Sequence, residues 1–117
     1  MDEIFNRKES IEYNSKIPNG FEEFVDKEEY IAMGQRMSTA YQYLYKFYDE
    51  NGLSKVRLCD NNGEVVRDPV LKTDLTQEGI EFSKYGFRWI DSKSSGKTPP
   101  DIKPLLKRLN DFRNKHK

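Results

Sequence analysis

Tyr41-Gln42-Tyr43-Leu44-Tyr45-Lys46-Phe47-Tyr48 can be read in two ways, and the choice decides the fold. In a strand, alternate residues share a side, so Tyr41, Tyr43, Tyr45 and Phe47 would line one surface. In a helix, the ~100° step per residue gathers a different set. Tyr30, Met33, Gly34, Met37, Tyr41, Leu44, Tyr45 and Tyr48 then share one face, with Ala40 at its edge. Arg36, Thr39, Gln42, Tyr43, Lys46 and Glu50 fall opposite, with Phe47 at the boundary. The residues flanking the run favour the helix. Asp26 is a good N-cap with Glu29 three positions on, and Val25 and Tyr30 bracket it as a hydrophobic staple. Asn51-Gly52 supplies the C-terminal stop. One helix over 26–50 is therefore expected. It carries more aromatic surface than a single face can bury, so some rings should meet solvent or a partner.

Downstream, the hydrophobic period shortens. Val56 and Leu58 alternate with charged residues, Asn62-Gly63 is a favoured two-residue turn, and Glu64-Val65-Val66-Arg67 returns. A lone hairpin is marginal in water. It must pack on a helix or gain a third strand, from residues 68–72 or from the N-terminal arm. Thr76 caps a second helix running to about Ser92, with Leu75, Gly79, Phe82, Gly86, Trp89 and Ile90 on its apolar face. Glycine costs a helix about 1 kcal/mol relative to alanine. Gly34, Gly79 and Gly86, all on apolar faces, therefore predict close helix–helix approach. After a polar stretch at 92–100, Asp101 caps a last helix with Ile102, Leu105, Leu106, Leu109 and Phe112 as its stripe, and Pro104 sits in the first turn, where it is tolerated. The expected architecture is α+β: three main helices packed with a small antiparallel β-hairpin or sheet. It forms one domain over 1–117, with an N-terminal arm (1–20) and an exposed linker (92–100).

Composition narrows the function. Apolar residues make up 35% and charged residues 34% of the 117 positions, so the core is thin and leans on large aromatics. Each fully buried large side chain contributes roughly 1.5–3 kcal/mol. No apolar run approaches the roughly 18 residues of a membrane span. The opening Met1-Asp2-Glu3-Ile4-Phe5 has neither the basic nor the apolar region of a secretory signal, and one cysteine cannot form an internal disulfide. A cytoplasmic chain is expected. Net charge is zero, but residues 1–50 hold eleven acids against six bases, and residues 51–117 nine acids against fourteen bases. The acidic focus includes Glu22, Glu23 and Glu28. From Lys93 onward there are eight bases and two acids. Such asymmetry steers charged partners, or lets the two ends attract each other, or only keeps the chain soluble.

Catalytic chemistry finds little support. Ser95-Gly96-Lys97-Thr98 resembles the end of a phosphate loop, but Asp91 stands where its first glycine belongs, and two prolines follow. In a calcium loop centred on Gly63 the first ligand would be Leu58 and the twelfth Pro69, and neither side chain ligates calcium. Cys59 lacks a nearby base, since the single histidine is the penultimate residue, His116. One cysteine and one histidine do not make a zinc site. No catalytic residue, metal or cofactor is expected.

The back of the first helix is the better candidate. Tyr43 projects there among Arg36, Gln42 and Lys46, with Phe47 beside it, and tyrosine and arginine are enriched in binding hot spots. The competing possibility is that the N-terminal arm or the last helix covers this side, making Tyr43 second-layer core. We expect partner contacts at Arg36, Gln42, Tyr43, Lys46 and Phe47, supplemented by Glu22, Glu23 and Glu28. In size, charge content and the run Leu75-Thr76-Gln77-Glu78-Gly79-Ile80-Glu81-Phe82 leading to Trp89, the chain resembles small bacterial immunity proteins. The resemblance covers about a fifth of the chain. It implies one tight protein partner, a toxin neutralised in the cytoplasm, and no cofactor. The acidic residues would then suit a basic toxin domain. An alternative comes from Leu75-Thr76-x-Glu78-Gly79-x-x-Phe82 after a hairpin, which is similar to the helix after the wing in some winged-helix regulators. The long aromatic helix before the hairpin and the zero net charge depart from that pattern, so nucleic acid is the lesser expectation. A homodimer pairing its exposed aromatics is the third possibility, beside a monomer.

Overall fold

The computed structural model describes residues 3–9, 27–95 and 101–115. Strand β1, Glu3–Phe5, leads into a helical turn at 7–9. Helix α1 spans Lys27–Glu50. After an irregular segment come strand β2, Val70–Leu71, a 3-10 turn at Lys72–Asp74, helix α2 at Gln77–Ser95 and helix α3 at Lys103–Lys115. The layout is α+β. The 41–48 run is helical, as the period and the stop signal require. Gly52 takes φ +69°, and the Leu53 amide reaches back to the Tyr48 carbonyl at 3.1 Å, closing α1 in the expected left-handed cap. The proposed start signals at Val25 and Asp26 lie outside the described residues.

The sheet is small and antiparallel, as expected, but the hairpin is not part of it. β1 and β2 pair antiparallel with each other, Glu3 opposite Leu71 and Phe5 opposite Val70, and neither extends the hairpin. The hairpin itself is reduced to a single bridge, Cys59 to Val65. Its turn is a three-residue loop, in which the Asp60 amide donates to the Glu64 carbonyl and Gly63 takes φ +79°. The ladder stops there for a local reason. The Asp49 carboxylate on α1 accepts the amides of Leu58 at 2.9 Å and Cys59 at 2.9 Å. The Leu58 amide is the donor that the next rung, to Val66, would need, and it goes to the helix instead. The Gln42 side chain adds a 2.7 Å bond to the Gly63 carbonyl. The hairpin is thus strapped to α1 and does not project as a wing.

The excess of aromatic surface on α1 is resolved by covering it from two sides. The arm brings Phe5 against Tyr41, Tyr45 and Tyr48, with ring centroids 6.4, 5.8 and 5.5 Å away. Helix α2 brings Phe82 against Phe47, stacked at 6.1 Å, and against Tyr48 at 6.4 Å. These rings belong to one buried cluster with Leu44, Leu53, Ile90, Leu105 and Leu109. Buried hydroxyls are satisfied, as they must be. Tyr48 donates to the Gly79 carbonyl at 2.7 Å and Tyr45 to Asp68 at 3.1 Å. Burial, reinforced at Tyr45 by the Asp68 charge, pushes both phenols far above their ordinary range. Asp68 also accepts the amides of Arg7 at 2.9 Å and Lys8 at 3.0 Å, anchoring the turn that follows β1.

Both cap residues of the later helices act as expected. Thr76 Oγ1 accepts the Gly79 amide at 3.0 Å, and Asp101 Oδ1 accepts the Lys103 amide at 3.0 Å. Helix α2 continues through Ser95, so residues 92–95 of the expected linker are helical, and 96–100 lie outside the described residues. Leu106, counted in the apolar stripe of α3, is exposed. The Arg113 guanidinium donates to Glu78 at 2.8 Å and to the Asn51 carbonyl at 2.7 Å, tying α3 to the start of α2 and the end of α1. Ion pairs Arg36–Glu29, Lys46–Glu50, Arg67–Asp74 and Arg113–Glu78 each stay within one half of the chain.

One buried carboxylate carries a pH signature. Asp74, 4% exposed, is gripped by Arg67 through two bonds of 2.9 and 2.8 Å and accepts the Leu71 amide at 2.9 Å. The Arg67 hydrogen bonds, outweighing burial, hold its carboxyl below the ordinary 3.8. The unfolded chain therefore takes up this proton at higher pH than the folded one. The stabilisation is complete above the ordinary value and fades as pH falls through the lower, folded one. Asp74→Asn should lower the urea midpoint at neutral pH, and its further loss between about pH 5 and pH 3 should be shallower than wild type. Parallel pH curves would refute the assignment.

Candidate functional site

The exposed face of α1 sorts the expected contact residues by geometry. Tyr43 is 46% exposed, while Tyr41, Leu44, Tyr45, Phe47 and Tyr48 around it are all buried. It sits one helical turn from Lys46 and two turns from Arg36, on a side that neither α3 nor the described residues of the arm, 3–9, bury. Lys46 is exposed and lies 3.9 Å from Glu50. Arg36 is partly buried and bonds Glu29 at 2.7 Å. Glu28 is exposed in the first turn.

Two expected contacts change role. Phe47, placed at the boundary by helical angle, is 1% exposed and stacks on Phe82. It belongs to the core because α2 packs wide of the main stripe. Gln42 is half-buried and spends its amide on the Gly63 carbonyl, so it holds the hairpin. Glu22 and Glu23 lie outside the described residues. What remains together is Arg36, Tyr43 and Lys46.

Cys59 is buried and its thiol is pushed up to about 11, first by burial and then by the charges of Asp49 and Asp60. It therefore stays protonated at neutral pH, the form that is neither nucleophile nor ligand. Asp60, the first acid of the calcium-like stretch, accepts the amides of Asn62 at 2.8 Å and Glu64 at 2.9 Å and is consumed by its own turn. Among the described residues no cluster of three or more potential ligands is placed to hold a metal ion. No helix there is long and apolar enough to cross a membrane.

A second surface was not singled out from the sequence. Between α2 and α3 a hollow of about 210 Å³ is lined by Tyr85, Trp89 and Leu105 with Arg88, Lys93 and Arg108. The Trp89 indole donates to the Asp101 carbonyl at 3.0 Å, which fixes the ring and joins the two helices. Arg108 and Lys84 lie over the Tyr85 ring, 5.4 and 5.2 Å from its centre. The basic C-terminal region was legible in the sequence. Its meeting with Arg88 across an apolar floor was not, because the angle between α2 and α3 sets it. Comparison with protein-family models, with curated proteins and with solved structures gave no match.

Proposed function

We propose that this chain is a non-catalytic protein-binding module that holds one partner through the outward face of α1. In its finer form it is an inhibitor of the immunity type, neutralising a toxin in the cytoplasm. The exposure of Tyr43 carries this reading. In a run whose other rings are all inside, it alone stands out, flanked by Arg36 and Lys46. Tyrosine offers large contact area at little entropy cost, and arginine pairs readily with carboxylates. Glu28 on the same helix adds an acid that suits a basic partner.

Capture from the native host tests the reading. It requires a stoichiometric protein partner whose affinity drops about thirtyfold in Tyr43→Ala, the scale of a hot-spot truncation of about 2 kcal/mol. The variant should melt with the wild type, since an exposed site away from the core shifts stability by about 0.5 kcal/mol or less. Undiminished binding by the variant, or no partner at all, rejects the reading. Sedimentation separates the remaining case. A dimer dissolved by Tyr43→Ala would mean that the face meets a second copy of this chain.

A further inference from the structure

We propose that the hollow between α2 and α3 is a second docking site, and that it takes an acidic segment of a partner protein with one apolar side chain seated on its floor. Its lining has two zones. Trp89 and Leu105 form an apolar floor, both belonging to the buried core, with Tyr85 at its edge. Arg88, Lys93 and Arg108 supply three positive charges, and among the described residues no carboxylate lines the hollow. Among the described residues, the ion pairs that tie down other cations, Arg36, Arg67 and Arg113 among them, do not involve these three. Like charges converging on one concavity repel each other, and a bound acidic group relieves that. The volume of about 210 Å³ accepts a side chain of leucine size with its flanking backbone, not a folded surface.

A peptide fits this lining better than a nucleic acid does. Single strands bind by stacking bases on open aromatic faces along a charged track. Here Tyr85 already has Lys84 and Arg108 over its ring, and Trp89 is buried with its indole N–H engaged. Arg108 also borders a neighbouring hollow with Lys115, but the Asp111 carboxylate lines that one as well, which disfavours a continuous phosphate track. The site lies on different helices from the Tyr43 face, and either surface can exist without the other.

Trp89 is the only tryptophan and lines the hollow, so its emission reports occupancy. The probe is a short synthetic peptide of glutamates and aspartates around a central leucine, titrated at low salt into the full chain. A saturable change in emission is expected. Binding should weaken about tenfold in R88Q/R108Q, the scale of lost interfacial charge pairs. It should also weaken when the central leucine of the peptide is replaced by glycine, and Tyr43→Ala should leave it unchanged. Circular dichroism checks that the double variant is folded. If that variant unfolds, the single substitution K93Q, on a partly exposed side chain, carries the same test with a smaller loss. No saturable change, equal binding by folded variants, or tighter binding of single-stranded or duplex DNA than of the peptide overturns the proposal. Loss of binding in Tyr43→Ala would merge this site with the α1 face and overturn its independence.

Discussion

Phe5→Ala should cost about 3–5 kcal/mol and lower the Tm by on the order of 10–20 °C. The side chain is fully buried and is the meeting point of four rings, Tyr41, Tyr45, Tyr48 and Phe87, with the last at 5.0 Å. Truncation leaves a cavity that neighbours held by their own hydrogen bonds cannot collapse into. Tyr45 is fixed by Asp68 and Tyr48 by the Gly79 carbonyl. A domain of this size has a total stability of about 5–15 kcal/mol, so the loss is a large share of it. The arm should also become the first site of proteolysis, since β1 holds to β2 by one short, irregular pairing. Phe5→Leu should recover roughly half of the loss. A Tm within about 3 °C of wild type in Phe5→Ala would mean that the arm contributes nothing to the core in solution.

Gly79→Ala should destabilise by about 2–4 kcal/mol, against the usual sign for a helical glycine. In an open helix the change would gain about 1 kcal/mol. Here a Cβ would stand 2.1 Å from the Leu53 carbonyl oxygen, well inside contact distance. That oxygen is not free to retreat, because it accepts both the amide of Thr76 at 3.0 Å and its hydroxyl at 3.2 Å. Helix α2 would have to lift off the end of α1, straining the Tyr48–Gly79 bond as it went. Gly86→Ala makes the matched control. Its Cβ would meet Leu44 Cδ2 at 3.2 Å, the far end of a side chain that can rotate. That variant should stay within about 1 kcal/mol of wild type. Chemical denaturation of the pair decides the matter. If Gly79→Ala is as stable as Gly86→Ala, the tight contact with Leu53 does not exist in solution.

The two glycines show how far the sequence can be read. Their place on an apolar face predicted close packing, and both are packed closely. Gly86 meets a side chain of α1, as expected. Gly79 meets instead the backbone just beyond α1, a partner that no helical period points to. The hairpin turn behaves similarly. Asn62-Gly63 marked the place, but the short ladder follows from Asp49, a residue of the helix, capturing the Leu58 amide.

The candidate site divides along the same line. Periodicity, caps and the Asn51-Gly52 stop are local, short-range effects, so the chain alone specified three helices and which face of each is apolar. It also specified that 41–48 held more rings than one face could hide. Which ring would stay outside depended on what else arrived at that helix. The arm delivered Phe5 to one flank and α2 delivered Phe82 to the other, which took Phe47 inward and left Tyr43 in solvent. Burial is a property of pairs of elements brought together over long chain separations, and helical angle carries no record of the second element.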